Sequence, residues 1–366
     1  MSTEKKINFG AGPAKIPEEV LEEMQKSLLS YSNLGMSILE ISHRSKEFAA
    51  LLNETKDLFR ELMKVPDNFE ILFMQGGGTG QFAAVPLNLK GDHPYGEYIV
   101  TGAWSAKAAT EAAKFIKVKK VFQPSKPYVT VPDQSNWDHE KDASYIYYCA
   151  NETVHGIEFT PASPPHDVPL VADISSNFLA RPFDFTNHGV VFGGTQKNLG
   201  AAGLTVVFVR KDLIGKEQPA TPSILSYAEM ITNNSLYNTP PTGGIYITNL
   251  VLKWIKSKGG VEAIYKTNLE KSSLIYNIID NSNGFYYCHV DKRYRSIMNL
   301  CFRIGGADGV DALEEKFLKG AADLGMVSLK GHRSVGGIRA SLYNAVTLEE
   351  TTTLANYMKK FLEENK

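Results

Sequence analysis

Hydrophobic positions along the chain follow two different periods, and their alternation predicts a layered α/β fold. Seven short apolar runs are typical of buried strands, at residues 70–74, 98–101, 118–122, 145–149, 169–172, 190–192 and 204–210. Helical stretches lie between several of these runs, for example at 80–88 and 104–115. Because parallel strands are joined by helical crossovers that cover the sheet, this order predicts a mostly parallel seven-stranded sheet with helices on both faces.

Amphipathic helices are predicted on both sides of the strand region. Before it, residues 17–29 and 45–65 carry apolar side chains at helical spacing, and Ser45 is placed to cap the second helix. After it, residues 243–258 and 261–281 are predicted to form two long helices. These helices supply the apolar faces that a sheet buried on both sides requires.

The last hundred residues change character and predict a smaller α+β domain. Strands are predicted there at 286–290, 296–304, 326–329 and 338–343, and helices at 310–324 and 348–364. We expect a large domain over residues 16–260 and a small domain made of 1–15 together with 261–366. No long linker separates the two, so we expect a ligand cleft between them.

Composition and charge narrow the class of protein. The 366 residues include 39 basic and 40 acidic side chains, so the chain lacks the basic excess of nucleic-acid-binding domains. The three cysteines form no paired motif, which favours a reducing compartment. No apolar run is long enough to span a bilayer, and the first residues lack the apolar core of a signal peptide. We therefore expect a cytoplasmic globular protein with no membrane or nucleic-acid partner.

A glycine-rich segment after the first strand of the predicted sheet is a candidate phosphate site. Residues 76–80 read Gly-Gly-Gly-Thr-Gly at a helix start, where backbone N–H groups and the helix dipole favour an anion. The next strand ends without the acidic residue of a nicotinamide-binding fold, and the Gly-Lys-Ser/Thr of an NTPase loop is absent. The pattern alone leaves a tight strand–helix turn open, but favours a phosphate site over a dinucleotide site.

An acid and a lysine near the ends of two predicted strands suggest a specific chemistry. Asp173 follows a buried strand, and Lys197 lies in a turn between glycines. Taken singly, a helix-capping acid and a solvent-exposed lysine are the commoner interpretations. Taken together, an acid that keeps a pyridinium nitrogen protonated and a lysine that forms a Schiff base are the minimal protein contribution to pyridoxal phosphate chemistry. Trp104, beyond another strand end, is available to stack on the ring.

Histidine–arginine pairs are candidate ligands for an anionic substrate. They are His43-Arg44 near the start and His332-Arg333 near the end, with Arg339 close by. Arginine donates hydrogen bonds in a fork that matches carboxylate and phosphate, although a single arginine is more often a surface residue. Histidine and cysteine spacing matches no metal site, and no Gly-x-Ser-x-Gly hydrolase motif is present, so neither chemistry is expected.

Nine motifs, in one order between residues 7 and 362, resemble the phosphoserine aminotransferases, a class-V family of pyridoxal-phosphate enzymes. They lie at residues 8–14, 41–44, 76–88, 101–105, 151–153, 172–176, 196–198, 237–241 and 331–341. The resemblance implies the aspartate-aminotransferase fold (fold type I), pyridoxal 5'-phosphate as the cofactor, and a homodimer whose two subunits share their active sites.

The resemblance also implies roles for individual residues. Lys197 matches the lysine that bonds to the cofactor and later moves the proton, Asp173 the acid paired with the ring nitrogen, and Trp104 the stacked aromatic ring. Further cofactor contacts are implied at Gly78, Thr79, Thr153 and Gln196, and from the other subunit at Asn238 and Thr239. Arg339 matches the ligand of the substrate α-carboxylate, and the distal phosphate or carboxylate is assigned to His43, Arg44, His332 and Arg333.

The implied reaction moves the amino group of L-glutamate to 3-phosphohydroxypyruvate, giving O-phospho-L-serine and 2-oxoglutarate in L-serine biosynthesis. Formation of 4-phosphohydroxy-L-threonine for vitamin B6 stays open as a second activity. Two positions depart from the family pattern. Bacterial members often carry serine where Ala11 stands and arginine where Thr79 stands, and the second change removes a cation from the distal anion site.

Two other classes of function stay open beside this hypothesis. One is a related pyridoxal enzyme, such as a glyoxylate aminotransferase or a cysteine-desulfurase-like lyase, although no cysteine lies in an evident active-site loop. The other is a non-catalytic phosphate-binding protein that kept the fold. The presence of both Asp173 and Lys197 argues against a mere binder, which does not need the lysine.

Overall fold

A seven-stranded sheet organises the computed structural model, which describes residues 5–162 and 168–366. The strands are β1 (Ile7–Asn8), β2 (Phe69–Met74), β3 (Tyr95–Ile99), β4 (Lys117–Lys120), β5 (Ala143–Cys149), β6 (Asn151–Glu152), β7 (Ile157–Glu158), β8 (Leu170–Asp173), β9 (His188–Gly194), β10 (Thr205–Arg210), β11 (Tyr286–Tyr287), β12 (Asn299–Ile304), β13 (Met326–Val327) and β14 (Ile338–Ser341). The α-helices are α1 (Glu18–Leu29), α2 (Lys46–Met63), α3 (Gly77–Leu89), α4 (Ala103–Ala112), α5 (Tyr227–Thr232), α6 (Thr242–Ser257), α7 (Gly260–Asp280), α8 (Asp311–Asp323) and α9 (Leu348–Asn365).

The large sheet has the strand order β2-β10-β9-β8-β5-β3-β4 and is mixed. Strands β9, β8, β5, β3 and β4 pair in parallel, whereas β10 is antiparallel to both β9 and β2. Six strands therefore point in one direction and one is reversed. This confirms the predicted mostly parallel seven-stranded sheet, and each predicted apolar run overlaps one of these strands. The reversal of β10 follows from its short connection to β9, because antiparallel neighbours need no helical crossover.

Helices cover both faces of this sheet, as its hydrophobic pattern requires. All but one residue of β2 is buried, and successive side chains point to opposite faces. Ile71 and Phe73 belong to a core that includes buried residues of α2 and α6. Leu72 and Met74 belong to a second core, formed with α3, α4 and α5. A continuous apolar run therefore becomes a strand buried from both sides.

The C-terminal region forms a third core, which residues 7–9 join. Strands β11, β12 and β14 form a small antiparallel sheet that packs with α7, α8 and α9. Strand β1 pairs with β13, and Phe9 is fully buried in this core. Helix α7 belongs to both regions, because Val261 packs in the first core and Ile275 in the third. We propose the domain boundary near residue 261, at the start of this shared helix.

Several element bounds differ from those predicted, each for a local reason. Helix α3 begins at Gly77 rather than at 80, so the glycines form its first turn. Strand β3 lies about three residues earlier than predicted, and β11 is shorter than predicted. Ser45 caps α2 as expected, since its hydroxyl accepts a hydrogen bond from the N–H of Phe48 at 3.1 Å. The hairpin of β6 and β7 was not predicted, because a two-residue strand is too short to show an alternation of hydrophobic and polar residues.

Candidate active site

A cavity of about 350 Å³ opens at the carboxyl ends of the parallel strands. Its wall contains residues that follow four different strands: Gly78 after β2, Trp104 after β3, Asp173 at the end of β8 and Lys197 after β9. Because these strands run in the same direction, residues far apart in sequence meet at one edge of the sheet. The cavity therefore brings together the acid, the lysine, the indole and the glycine-rich turn singled out in the sequence.

Lys197 is buried with its ammonium facing this cavity. Its Nζ donates a hydrogen bond to Thr153 Oγ1 at 2.8 Å and lies 5.4 Å from the centre of the Trp104 ring. Gly12 packs against its stem, since a Cβ at Gly12 would lie 3.2 Å from Lys197 Cγ. Burial lowers the pKa of Lys197, while the charge of Asp173 acts in the opposite direction. The amine is therefore held in place and loses its proton more readily than a surface lysine, as a nucleophile must.

Asp173 is the buried carboxylate of the same cavity. Its Oδ1 accepts hydrogen bonds from the N–H of Ser175 at 2.9 Å and from the Ser175 hydroxyl at 2.6 Å. Its Oδ2 lies beside Gly78, 3.6 Å from the place a Cβ there would take. Burial raises the pKa of Asp173, while the Ser175 hydrogen bonds and the charge of Lys197 oppose that shift. An acid of this kind is suited to share a proton with a basic ring nitrogen.

The glycine-rich turn forms an exposed helix start beside these side chains. Gly76 and Gly77 have φ values of 94° and 61°, in the left-handed region that favours glycine. No side chain caps α3, so its first backbone N–H groups stay available to an anion. The geometry favours the phosphate site over the plain turn left open by the sequence. Thr79 lies in this first turn and lines the cavity.

Trp104 is positioned by an acid to which the sequence assigned no role. Glu152 is fully buried, and its Oε2 accepts a hydrogen bond from the N–H of Trp104 at 2.9 Å. Its Oε1 accepts from the N–H of Ser105 at 2.8 Å and from the Ser105 hydroxyl at 2.5 Å. A Cβ at Gly102 would collide with this carboxylate, so the position needs glycine. Glu152 thus caps α4 from a distant strand, and it directly precedes Thr153, the partner of Lys197.

Glu152→Ala should lower kcat/KM about 10- to 100-fold, because the start of α4 loses its hydrogen-bond acceptors and Trp104 is no longer held in place. Quenching of tryptophan fluorescence by added pyridoxal phosphate should weaken in parallel. Glu111→Ala is the matched control, since Glu111 lies near the end of the same helix and pairs with Lys114 just beyond it. Equal activity and equal quenching in the two variants would refute this positioning role.

Arg339 and His332 reach the cavity from the C-terminal region. Arg339 lies on β14, and its Nη1 donates to the Thr153 carbonyl at 3.3 Å. Both residues line the cavity, and the His332 ring lies 2.7 Å from the Ser334 hydroxyl. Burial lowers the pKa of His332, and the charges of Arg339 and Arg333 lower it further. A bound anion would reverse part of that shift, because it favours the charged imidazolium.

The remaining predicted residues fall into two groups. Gln196 and Thr153 line the cavity with Lys197. Outside the cavity wall of the single chain lie His43, Arg44, Asn238, Thr239 and Arg333. His43 and Arg44 precede α2, Asn238 and Thr239 precede α6, and Arg333 is exposed. One chain by itself therefore brings together most of the predicted cofactor contacts and only part of the predicted anion site.

The structure bears on two expected absences, within its described ranges. Residues 5–162 and 168–366 contain no cluster of three histidine, cysteine or acidic side chains arranged to hold a metal ion. No helix in these ranges is long and apolar enough to cross a membrane.

The fold and the cavity define a class of protein: an α/β enzyme scaffold built for pyridoxal phosphate. An uncapped helix start suits the phosphate, a buried acid suits the ring nitrogen, and a buried lysine with a lowered pKa suits the aldehyde carbon. The Trp104 Nε1 is buried without a hydrogen-bond partner among the described residues, as expected of a ring that lines a ligand site. The residues present therefore fit the cofactor.

Comparison with known proteins agrees with this class. The sequence matches the family model for Aminotransferase class-V over residues 7–354. A probable phosphoserine aminotransferase of Caenorhabditis elegans is 76% identical over 358 residues, which cover 98% of this chain and 97% of that relative. The solved phosphoserine aminotransferase from Bacillus circulans subsp. alkalophilus has a TM-score of 0.95 and 42% identity, with 100% of both chains covered. The PLP-bound enzyme from Trichomonas vaginalis has a TM-score of 0.92 and 40% identity, covering 97% of this chain and 100% of that chain.

The chain therefore belongs to the class-V aminotransferase family, and within it to the phosphoserine aminotransferases. This confirms the family that the nine sequence motifs indicate.

Proposed function

We propose that this protein transfers the amino group of L-glutamate to 3-phosphohydroxypyruvate with pyridoxal phosphate as its cofactor. The products are O-phospho-L-serine and 2-oxoglutarate, and the reaction belongs to L-serine biosynthesis. The observation that carries the chemistry is the buried Lys197 amine, which shares a cavity with the Asp173 carboxylate beside an uncapped helix start. Full-length relatives named phosphoserine aminotransferase support this substrate pair over the other pyridoxal enzymes that the sequence left open.

We assign a separate role in the reaction to each of four cavity residues. When bound, pyridoxal phosphate supplies an electron sink for the negative charge that develops at the substrate α carbon. Asp173 keeps a proton on the ring nitrogen, because its carboxylate is buried where an unpaired charge is unfavourable. Trp104, which lines the cavity, would cover one face of the bound ring and exclude water from it. Lys197, as the free amine, takes the proton from the α carbon and returns it one step later, while Thr153 keeps its Nζ aimed at the cavity.

Arginine and histidine side chains hold the two ends of the substrate. Arg339 binds the α-carboxylate, and its hydrogen bond to the Thr153 carbonyl places the guanidinium beside the lysine. His332 and Arg333 face the distal carboxylate or phosphate from the same subunit. His43 and Arg44 complete this distal site from the partner subunit, and Asn238 and Thr239 complete the cofactor phosphate site in the same way.

The shared site requires a homodimer, and one surface of the chain is suited to form it. Leu39 packs against Gly243, so the segment before His43 lies beside the segment after Thr239. This region leaves large apolar side chains exposed: Leu34, Met36, Leu39 and Tyr237. A contiguous exposed apolar patch is typical of a subunit interface. We propose that this patch forms the dimer contact and carries both segments to the partner's cavity.

The two half-reactions can be observed with the purified protein and pyridoxal phosphate. We expect a yellow protein that bleaches on addition of L-glutamate, and regains its colour when 3-phosphohydroxypyruvate is added. L-Alanine and pyruvate serve as the matched pair without a distal anion, and should produce much smaller changes. A yellow protein indifferent to glutamate would reject this amino donor. A protein that stays colourless would reject the cofactor and leave only the fold.

A further inference from the structure

Lys107 places a positive charge beside two residues that line the cavity, in a position to which no role has been assigned. It lies on α4, one turn after Trp104, with an exposed side chain. Its Nζ is 5.5 Å from the centre of the Trp104 ring and 3.4 Å from Thr79 Oγ1. Trp104 and Thr79 both line the cavity. Lys107 is not itself part of the cavity wall, but its ammonium lies next to two wall residues while its side chain stays exposed.

The ammonium of Lys107 keeps most of its binding capacity free. Among residues 5–162 and 168–366 it forms no ion pair, and its one hydrogen bond, to Thr79, is long. An ammonium has three donors, so at least two are available to a ligand. Lys114, just beyond the end of the same helix, differs, because its Nζ pairs with Glu111 at 2.7 Å. Attraction to the indole ring holds the Lys107 ammonium beside Trp104 and leaves its positive charge unpaired.

The two substrates of the proposed reaction place different demands on this charge. The γ-carboxylate of glutamate carries one negative charge, whereas a phosphate monoester carries between one and two and offers three acceptor oxygens. On the α3 side of the cavity Thr79 contributes only a hydroxyl group. A cation on this side must therefore come from a neighbouring element, and Lys107 is already in contact with Thr79.

We propose that Lys107 binds the distal phosphate of the substrate and favours phosphorylated substrates over those with a distal carboxylate. The proposal rests on the proposed function and adds a specificity-determining residue to it. Because phosphate presents more charge and more acceptors than carboxylate, removal of Lys107 costs the phosphorylated substrate more.

The test compares two amino donors that act on the same form of the enzyme. O-Phospho-L-serine and L-glutamate each convert the pyridoxal form in a single turnover, which stopped-flow absorbance follows. In Lys107→Ala we expect kcat/KM to fall about 10-fold or more for phosphoserine and less than about threefold for glutamate. Lys107→Arg should retain the preference, and Lys114→Ala should leave both donors unchanged. The phosphoserine defect should shrink at high ionic strength, because salt screens an exposed charge.

A second variant separates charge from structure. In the Lys107→Ala background, Thr79→Arg places a guanidinium at the neighbouring position and should recover most of the phosphoserine rate. Equal losses with both donors, together with weaker binding of pyridoxal phosphate, would overturn the proposal and assign Lys107 to the cofactor phosphate. Unchanged rates with both donors would also overturn it. Failure of the wild-type protein to react with phosphoserine would instead refute the proposed function.

Discussion

Lys197→Ala should reduce turnover by about 10⁴-fold or more, because in the proposed mechanism one side chain supplies both the amine that bonds to the cofactor and the base that moves the proton. Among residues 5–162 and 168–366, no second lysine lines this cavity. Lys107 is the other lysine whose ammonium lies over the Trp104 ring in the described chain, but it does not line the cavity. We therefore expect the loss to be in kcat rather than in substrate affinity.

The measurement is the steady-state rate with glutamate and phosphohydroxypyruvate, together with the cofactor retained after ultrafiltration. Lys197→Ala should keep part of its pyridoxal phosphate, because the helix start, Asp173 and Trp104 remain. Lys197→Arg keeps the charge but cannot act as a free amine, so it should be equally inactive. Lys211→Ala, an exposed lysine beside Glu70, is the surface control and should be normal. Near-normal turnover in Lys197→Ala would exclude the proposed mechanism.

Mixing two inactive variants should restore activity if the subunits share their sites. Arg44→Ala removes a distal ligand that we assign to the partner's cavity, and Lys197→Ala removes the amine of its own cavity. In a mixed dimer, one site combines an intact Lys197 from one subunit with an intact Arg44 from the other. The second site carries both substitutions. Subunit exchange between equal amounts should therefore give about a quarter of wild-type activity, since half of the dimers are mixed and each has one intact site.

The control for this experiment is Arg339→Ala mixed with Lys197→Ala. Arg339 and Lys197 line the cavity of the same chain, so in a mixed dimer one site lacks Arg339 and the other lacks Lys197. No site is intact, and no recovery is expected. Recovery by this control pair, or none by the Arg44 pair, would contradict the proposed sharing. Ultracentrifugation of each variant establishes that dimers form.

Much of the fold is predictable because buried positions in strands and helices are hydrophobic, and their spacing in the sequence shows which element they belong to. A strand such as β9, buried on both faces, reads as an apolar run, and an amphipathic helix such as α2 shows its buried face at helical spacing. The ends of elements depend on more local contacts. Helix α3 begins among glycines that have weak helix propensity, and its packing against the sheet decides where it starts.

The chemistry of the cavity was predictable to the extent that strand ends meet at one edge of a parallel sheet. Asp173 and Lys197 each follow a strand candidate, so their proximity follows from the direction of the strands. The reversal of β10 was not predicted. It leaves this edge intact, because β10 lies between β2 and β9 while both of those strands keep the common direction.

By itself the sequence determined the α/β class, the order of the strands along the chain, and the lysine–acid pair, because each depends on residue type and spacing. Only the tertiary structure decided which side chains support that pair. Glu152 holds the backbone of Trp104 across 48 positions of sequence, and Lys107 reaches Thr79 across 28. Contacts of this kind arise when separate strands bring their following loops together, and no local pattern of hydrophobic and polar residues records them.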